Sequence, residues 1–133
     1  LLAKEACACF EVGEQGGTYS GNPLACAAGV AVMNSLLAAG FLARVQTVGA
    51  YLADGLRRLA FDFGLGQVRA RGLLLALELG HDRAGQLVTL ARERGLLLNA
   101  PRAHCLRIMP ALNTSMGEAD EGLALLREVL APQ

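Results

Sequence analysis

Apolar positions along the chain follow two periods, and the boundaries between them carry turn residues. Leu24 to Leu37 is the most apolar stretch, broken at Asn34 and Ser35. Asn22 before it is a good helix N-cap and Pro23 suits the first helical position, so a helix is expected to run to about Leu37. Gly40 is expected to stop it in a left-handed cap, after which Phe41, Val45, Val48, Leu52, Leu56 and Leu59 recur at helical spacing. Gly64 and Gly66 mark a turn. Gln67–Arg71 and Leu73–Leu79 read as short strands hinged at Gly72. A third helix over Ala84–Arg94 puts Leu87, Val88 and Ala91 on one face and ends at Gly95. Leu96–Leu98 and Cys105–Ile108 are apolar runs of strand size separated by the Pro101 loop. Ser115 caps a last helix carrying Leu123, Leu126 and Leu130, with Glu118 completing a capping box. The order predicts an α/β (α+β) fold with helices packed on a small sheet.

Composition narrows the function. The 133 residues are 53% hydrophobic and 18% charged, which suits one folded core rather than a disordered chain. Twelve basic residues balance twelve acidic ones, and the basic residues form no run, so a nucleic-acid partner is not expected. The apolar stretch is shorter than the roughly 20 residues that span a bilayer, and no export signal is legible. A soluble, cytoplasmic protein with no membrane partner is expected. Cys7, Cys9, Cys26 and Cys105 lack the spacing of a zinc site and read as indifferent thiols, so no metal is expected. Lys4 is the only lysine, so a mechanism needing a Schiff-base lysine must use Lys4 or a residue outside these 133.

The segment Gly16-Gly17-Thr18-Tyr19-Ser20-Gly21-Asn22-Pro23 is the richest in candidate chemistry. Glycines admit a ligand close to the backbone, Thr18 and Ser20 supply hydroxyls, and the helix after Asn22 is expected to offer unpaired N–H groups. These features suit an oxyanion such as phosphate. A tight connecting loop that binds nothing has the same composition. The segment is neither a P-loop nor a dinucleotide fingerprint, because the Gly-Lys-[Ser/Thr] and Gly-x-Gly-x-x-Gly patterns are missing.

Gly16 to Ala27 resembles the His-Gly-[Ser/Thr]-Thr-[Phe/Tyr]-Gly-Gly-Asn-Pro-Leu-Ala stretch of class III pyridoxal-phosphate aminotransferases. Arg71 to Leu79 is similar to that family's Arg-Gly-x-Gly-Leu-x-x-Gly-x-Glu segment. Arg94 to Asn99 followed by Leu106 to Leu112 resembles its Gly-Leu-Leu-x-Asn … [Ile/Leu]-Arg-[Phe/Leu]-x-Pro-Pro-Leu ending. The likeness covers essentially the whole chain. It implies the C-terminal small domain of a fold type I pyridoxal-phosphate-dependent transferase (residues 40–133), preceded by an interface segment with the Gly-rich loop and a connecting helix (residues 1–39).

The resemblance also implies roles. Thr18 matches the threonine that bonds the cofactor phosphate of the partner subunit in a homodimer, with Gly17 and Tyr19 shaping that cofactor-binding turn. Arg107 matches the arginine that receives the substrate carboxylate. The substrates implied are a small-molecule amino acid, an ω-amino donor such as N-acetylornithine, and a 2-oxo acid, 2-oxoglutarate. The family's Schiff-base lysine has no counterpart here, so no catalytic residue is assigned. The chain is expected to be a piece cut after that lysine, inactive by itself and not binding pyridoxal 5′-phosphate alone. Gln15 stands at the usual His position and Gly17 at the usual Ser/Thr. A non-catalytic dimerisation or anion-binding module of the same fold is the alternative. His81 and His104 read as surface histidines, and Glu78 with Asp82 as no general acid–base pair.

Overall fold

The computed structural model describes residues 4–7, 9–14 and 16–131. The chain divides into two compact units, one ending at Ala38 and the other beginning at Ala39. The first holds a single 3₁₀ turn at Glu5–Cys7, the glycine-rich loop and helix α1, Pro23–Leu37. Its Asn22 N-cap behaves as expected, the side-chain Oδ1 accepting from the N–H groups of Leu24 (3.0 Å) and Ala25 (3.2 Å). Its C-terminus departs from expectation. The residue after Leu37, Ala38, has φ −59°, and Gly40, at φ +80°, is instead the N-cap of the next helix.

The second unit runs α2 (Phe41–Asp62), β1 (Val68–Arg71), β2 (Leu74–Glu78), α3 (Ala84–Glu93), β3 (Asn99–Arg102), β4 (Cys105–Ile108) and α4 (Met116–Leu130). The sheet has the order β1-β2-β4-β3, with antiparallel neighbours throughout. β2 and β3 therefore run the same way, joined by α3, with β4 between them. This is a split β-α-β arrangement, preceded by a hairpin. Gly72 occupies the first central position of the two-residue β1–β2 turn at φ +56°, a conformation open to glycine and strained for other residues.

All three helices cover one face of the sheet. Alternation along β2 sends Leu75 and Leu77 to that face, with flanking Leu73 and Leu79 and, from β4, Leu106, all nearly inaccessible. They meet Val48, Leu52, Leu56 and Leu59 of α2, Leu87 and Ala91 of α3, and Leu126 and Val129 of α4. A fully buried leucine contributes about 1.5–3 kcal/mol, so this cluster is the main source of the unit's stability. The helices end as their glycines predict. Gly64 (φ +62°) and Gly95 (φ +81°) let Leu65 N–H donate to Ala60 O and Leu96 N–H to Ala91 O, both at 2.8 Å. At the start of α4, Ser115 Oγ accepts from Glu118 N–H (3.2 Å) while the Glu118 carboxylate accepts from Ser115 N–H (2.7 Å). The Ser115 N–H bond holds the Glu118 carboxyl below its ordinary pKa.

One predicted strand is displaced. Leu96–Leu98 is not extended ladder; the strand is Asn99–Arg102. Leu96 closes the C-terminal turn of α3 through its N–H, and Leu96 and Leu98 pack on the core from a connecting segment. Pro101 is accommodated because β3 is an edge strand, where a missing N–H costs no ladder bond.

Candidate functional site

The sequence-predicted residues fall into two groups, one in each unit. Gly17, Thr18 and Tyr19 lie in the exposed loop before α1, Tyr19 opening the turn that Asn22 N–H closes onto its carbonyl oxygen (3.3 Å). Gln15 lies outside the described residues. The N-terminus of α1 does not offer the free donors expected of it. Pro23 has no N–H, Leu24 and Ala25 donate to Asn22 Oδ1, and Cys26 donates to Asn22 O at 2.9 Å. The cap itself satisfies the groups that an anion would otherwise take. The available donors belong to the loop instead. Among the described residues, the N–H groups of Gly17 to Gly21 donate to no acceptor, and neither does the Thr18 hydroxyl. A Cβ at Gly17 would meet only Ser20 Oγ, at 3.9 Å, so the backbone there is open to approach. Five amides and a hydroxyl without a built-in negative charge are a donor set that fits a phosphate group.

Arg107 sits in β4, an interior strand, with Leu106 before it buried in the core. Alternation turns Arg107 to the sheet face that carries no helix. Register defines a row across that face: Arg69 opposite Ala76, Ala76 opposite Arg107, and Arg107 opposite Asn99. Arg71 stands one step along, opposite Leu74. Arg69, Arg71 and Arg107 line one open recess of 310 Å³ whose floor includes Leu74 and Ala76. Among the described residues, Arg71 and Arg107 make no ion pair, whereas Arg69 is held by Glu78 at 2.6 Å. Arg107 is thus neither an edge-strand arginine nor a salt-bridged one, and its guanidinium is available to a planar anion.

The ion pair also corrects the reading of the Arg71–Leu79 segment. The family pattern places its glutamate nine positions after its arginine, and counting back nine from Glu78 reaches Arg69. Arg69 is the residue whose guanidinium meets Glu78. The signal was in the spacing; the adjacent Arg71-Gly72 pair obscured it. His104 is also less isolated than its neighbours in sequence suggest. Its Nε2 lies 3.7 Å from Glu78 and its Nδ1 3.8 Å from Asp82, with about half of the side chain exposed. Those two carboxylates therefore flank an imidazole rather than each other. His81 is exposed.

Cys7, Cys9 and Cys26 are exposed and Cys105 is buried, all as free thiols. Among the described residues no group of three or more His, Cys, Asp or Glu side chains is arranged to hold a metal. Among them, too, no single helix is both long and apolar enough to cross a bilayer.

Together the fold and the arginine-bearing sheet face define a small α/β domain with guanidinium groups on its helix-free side. Comparison with known proteins makes the family explicit. The model of the class-III aminotransferases matches residues 1–130. The chain belongs to that family. The acetylornithine aminotransferase of Ralstonia nicotianae is 54% identical over 98% of this chain and 33% of its own length. The crystal structure of N-acetylornithine aminotransferase from Stenotrophomonas maltophilia superposes with a TM-score of 0.77 at 34% identity, over 82% of this chain and 31% of that one. An ornithine aminotransferase of Plasmodium yoelii gives 0.79 at 26% identity, over 91% and 33%. The chain therefore spans about a third of the length of the curated relatives it matches.

Proposed function

We propose that this chain is the C-terminal part of a pyridoxal-phosphate-dependent, cytoplasmic aminotransferase of acetylornithine type. The enzyme moves an amino group from N-acetylornithine or a similar ω-amino donor to 2-oxoglutarate, a step of arginine biosynthesis. Residues 1–39 act as the interface segment and residues 40–133 as the C-terminal small domain. Pyridoxal phosphate, when bound, supplies the electron sink for the amino-group chemistry. Lys4, the only lysine here, does not match the family's Schiff-base lysine, so the residue that anchors the cofactor is supplied by another part of the polypeptide.

Within this scheme Thr18 donates its hydroxyl to the cofactor phosphate of the partner subunit, and the N–H groups around Gly17 and Tyr19 complete that contact. Support comes from the unused donors of the loop. The homodimer this requires is supported by α1, which carries no charged residue and has none of its residues buried within its own unit. Such a helix has apolar surface to cover in an assembly.

Arg107 receives the substrate carboxylate. The observation that carries this reading is its position on the helix-free face of an interior strand with no carboxylate partner among the described residues. A guanidinium holds a carboxylate through two parallel hydrogen bonds; an ammonium offers a point charge without that geometry. Arg107→Lys in the holoenzyme is therefore expected to raise KM for glutamate and 2-oxoglutarate at least about tenfold, while the cofactor's absorbance stays intact. An unchanged KM would remove Arg107 from the substrate site.

A further inference from the structure

The four strands, all of whose residues are described, carry the guanidinium groups of Arg69, Arg71, Arg102 and Arg107 and only one carboxylate, that of Glu78. Which guanidinium this carboxylate occupies decides which arginines stay open. Ala76 stands opposite Arg69 on one side and opposite Arg107 on the other, and Glu78 follows two residues on, on the same strand and the same face. Both arginines are therefore diagonal neighbours of Glu78, at roughly the 7–8 Å that long side chains can bridge. Glu78 takes Arg69, at 2.6 Å, and Arg107 makes no ion pair among the described residues. We propose that Arg69 is a positioning residue: by holding the Glu78 carboxylate on the β1 side, it keeps Arg107 open to the substrate carboxylate. The proposal rests on the reading of Arg107 as the substrate-carboxylate arginine and adds the residue that protects it from a competitor within its own sheet.

Both oxygens of Glu78 are drawn away from Arg107. Oε1 meets Nη2 of Arg69, and Oε2 faces Nε2 of His104 at 3.7 Å. His104 precedes Cys105, the register partner of Glu78, whereas Arg107 follows it, so the imidazole lies on the other side of Glu78 from Arg107. Glu78 is the more enclosed member of its ion pair, with 22% of its side chain exposed against 58% for Arg69. A carboxylate released there has little water to turn to. In the ladder Arg107 is the nearest alternative cation. Arg71 lies two residues further along β1 than Arg69, and Arg102 lies two strands from Glu78, across Cys105.

A carboxylate tethered on the neighbouring strand competes more effectively than one in solution. Its effective concentration is of at least about millimolar order, against KM values that run from roughly 1 μM to 1 mM. Even a modest pair between Glu78 and Arg107 would therefore occupy the guanidinium in a measurable fraction of molecules. Partly exposed ion pairs shift an equilibrium by up to about fivefold. Such competition subtracts from substrate binding and leaves the later steps alone, so it acts on KM and not on kcat.

Steady-state kinetics of the holoenzyme test the assignment. Arg69→Gln is expected to raise KM for glutamate and 2-oxoglutarate about fivefold and to leave kcat within about a factor of two. Adding Glu78→Gln should return KM to the wild-type value, because the competitor is gone. Arg69→Lys, which keeps a cation for Glu78, should stay near wild type. Arg71→Gln removes the same charge from the same recess without freeing Glu78, and should not reproduce the rise. A crystal structure of the Arg69→Gln enzyme should place the Glu78 carboxylate within about 4 Å of the Arg107 guanidinium. An unchanged KM in Arg69→Gln overturns the proposal, as does a carboxylate still remote from Arg107 in that structure. An equal rise in Arg71→Gln also overturns it, since diffuse charge would then account for the effect. A rise that Glu78→Gln does not reverse would mark Arg69 as a structural residue and overturn it too. If Arg107→Lys raises KM while Arg69→Gln does not, only the role of Arg69 is lost; if Arg107→Lys leaves KM unchanged, the reading of Arg107 itself fails.

Discussion

Cys105 and Arg107 share one strand and one face of the sheet, yet Cys105 is buried and Arg107 is exposed. Cys105 is 3% exposed and its register partner is Glu78. Burial first, and then the charge of Glu78, push its thiol pKa above the ordinary value. The neutral thiol is therefore the form that folding favours. A group whose pKa is raised on folding stabilises the native state below its unfolded pKa and withdraws that contribution as pH rises toward the folded value. Mild alkali should consequently destabilise the second unit through Cys105, and Cys105→Ala should flatten that alkaline limb of the stability profile. Labelling offers the direct check. At neutral pH iodoacetamide should reach the exposed thiols of Cys7, Cys9 and Cys26 well before Cys105, which should react only once the sheet unfolds. Equal rates at all four would contradict the burial of Cys105.

At the scale of elements, α2 comes close to the backbone of the β1–β2 turn. A Cβ on Gly49 would lie 2.5 Å from the carbonyl oxygen of Gly72, whose backbone is set by the turn. Gly49→Ala gains about 1 kcal/mol of helix propensity but forces helix and hairpin apart, an overpacking cost of typically 1–3 kcal/mol. The cost should win, because neither backbone has a rotamer to change, and urea unfolding should show a net loss. Gly55 in the same helix makes the contrast. A Cβ there meets the terminal methyls of Leu123, which can rotate away, so Gly55→Ala should be closer to neutral. This difference was not legible in the sequence, where Gly49 and Gly55 are both glycines within an amphipathic helix. The helix itself was legible, as were the α4 capping box and the Gly72 hairpin, because each rests on residues within four positions of one another. The Leu96–Leu98 run was misread because apolarity reports burial, not extension. Leu96 and Leu98 pack from a loop, while the hydrogen-bonded ladder falls on the less apolar Asn99–Arg102. Thr18 and Arg107 were assigned through family motifs. Pairs joined by folding, such as Arg69 with Glu78 and Tyr51 with Asp120, have no local signature.

For the whole molecule, the two units differ in how their apolar surface is used. The second buries its leucines between three helices and a sheet. The first does not: Leu24, Val30, Val32, Met33 and Leu37 of α1 are all more than half exposed. At about 100° per residue these five positions are distributed around the whole helix rather than along one stripe. Packing against a single flat surface would still leave part of that circumference in water, so the proposed assembly must enclose α1 from more than one side. The chain by itself should therefore associate as its concentration rises, and the association should run through α1. Sedimentation velocity over a hundredfold range of concentration would show it as an increasing mean sedimentation coefficient. Replacing Val32 and Met33 by Glu puts charge on two sides of the helix and should suppress the increase. Because the core of the second unit contains no residue of α1, its thermal unfolding in that double variant should keep the wild-type midpoint at low concentration. Unchanged association in the variant would show that α1 is not the surface involved, and a strictly monomeric wild-type profile would remove the support that α1 gives to the dimer.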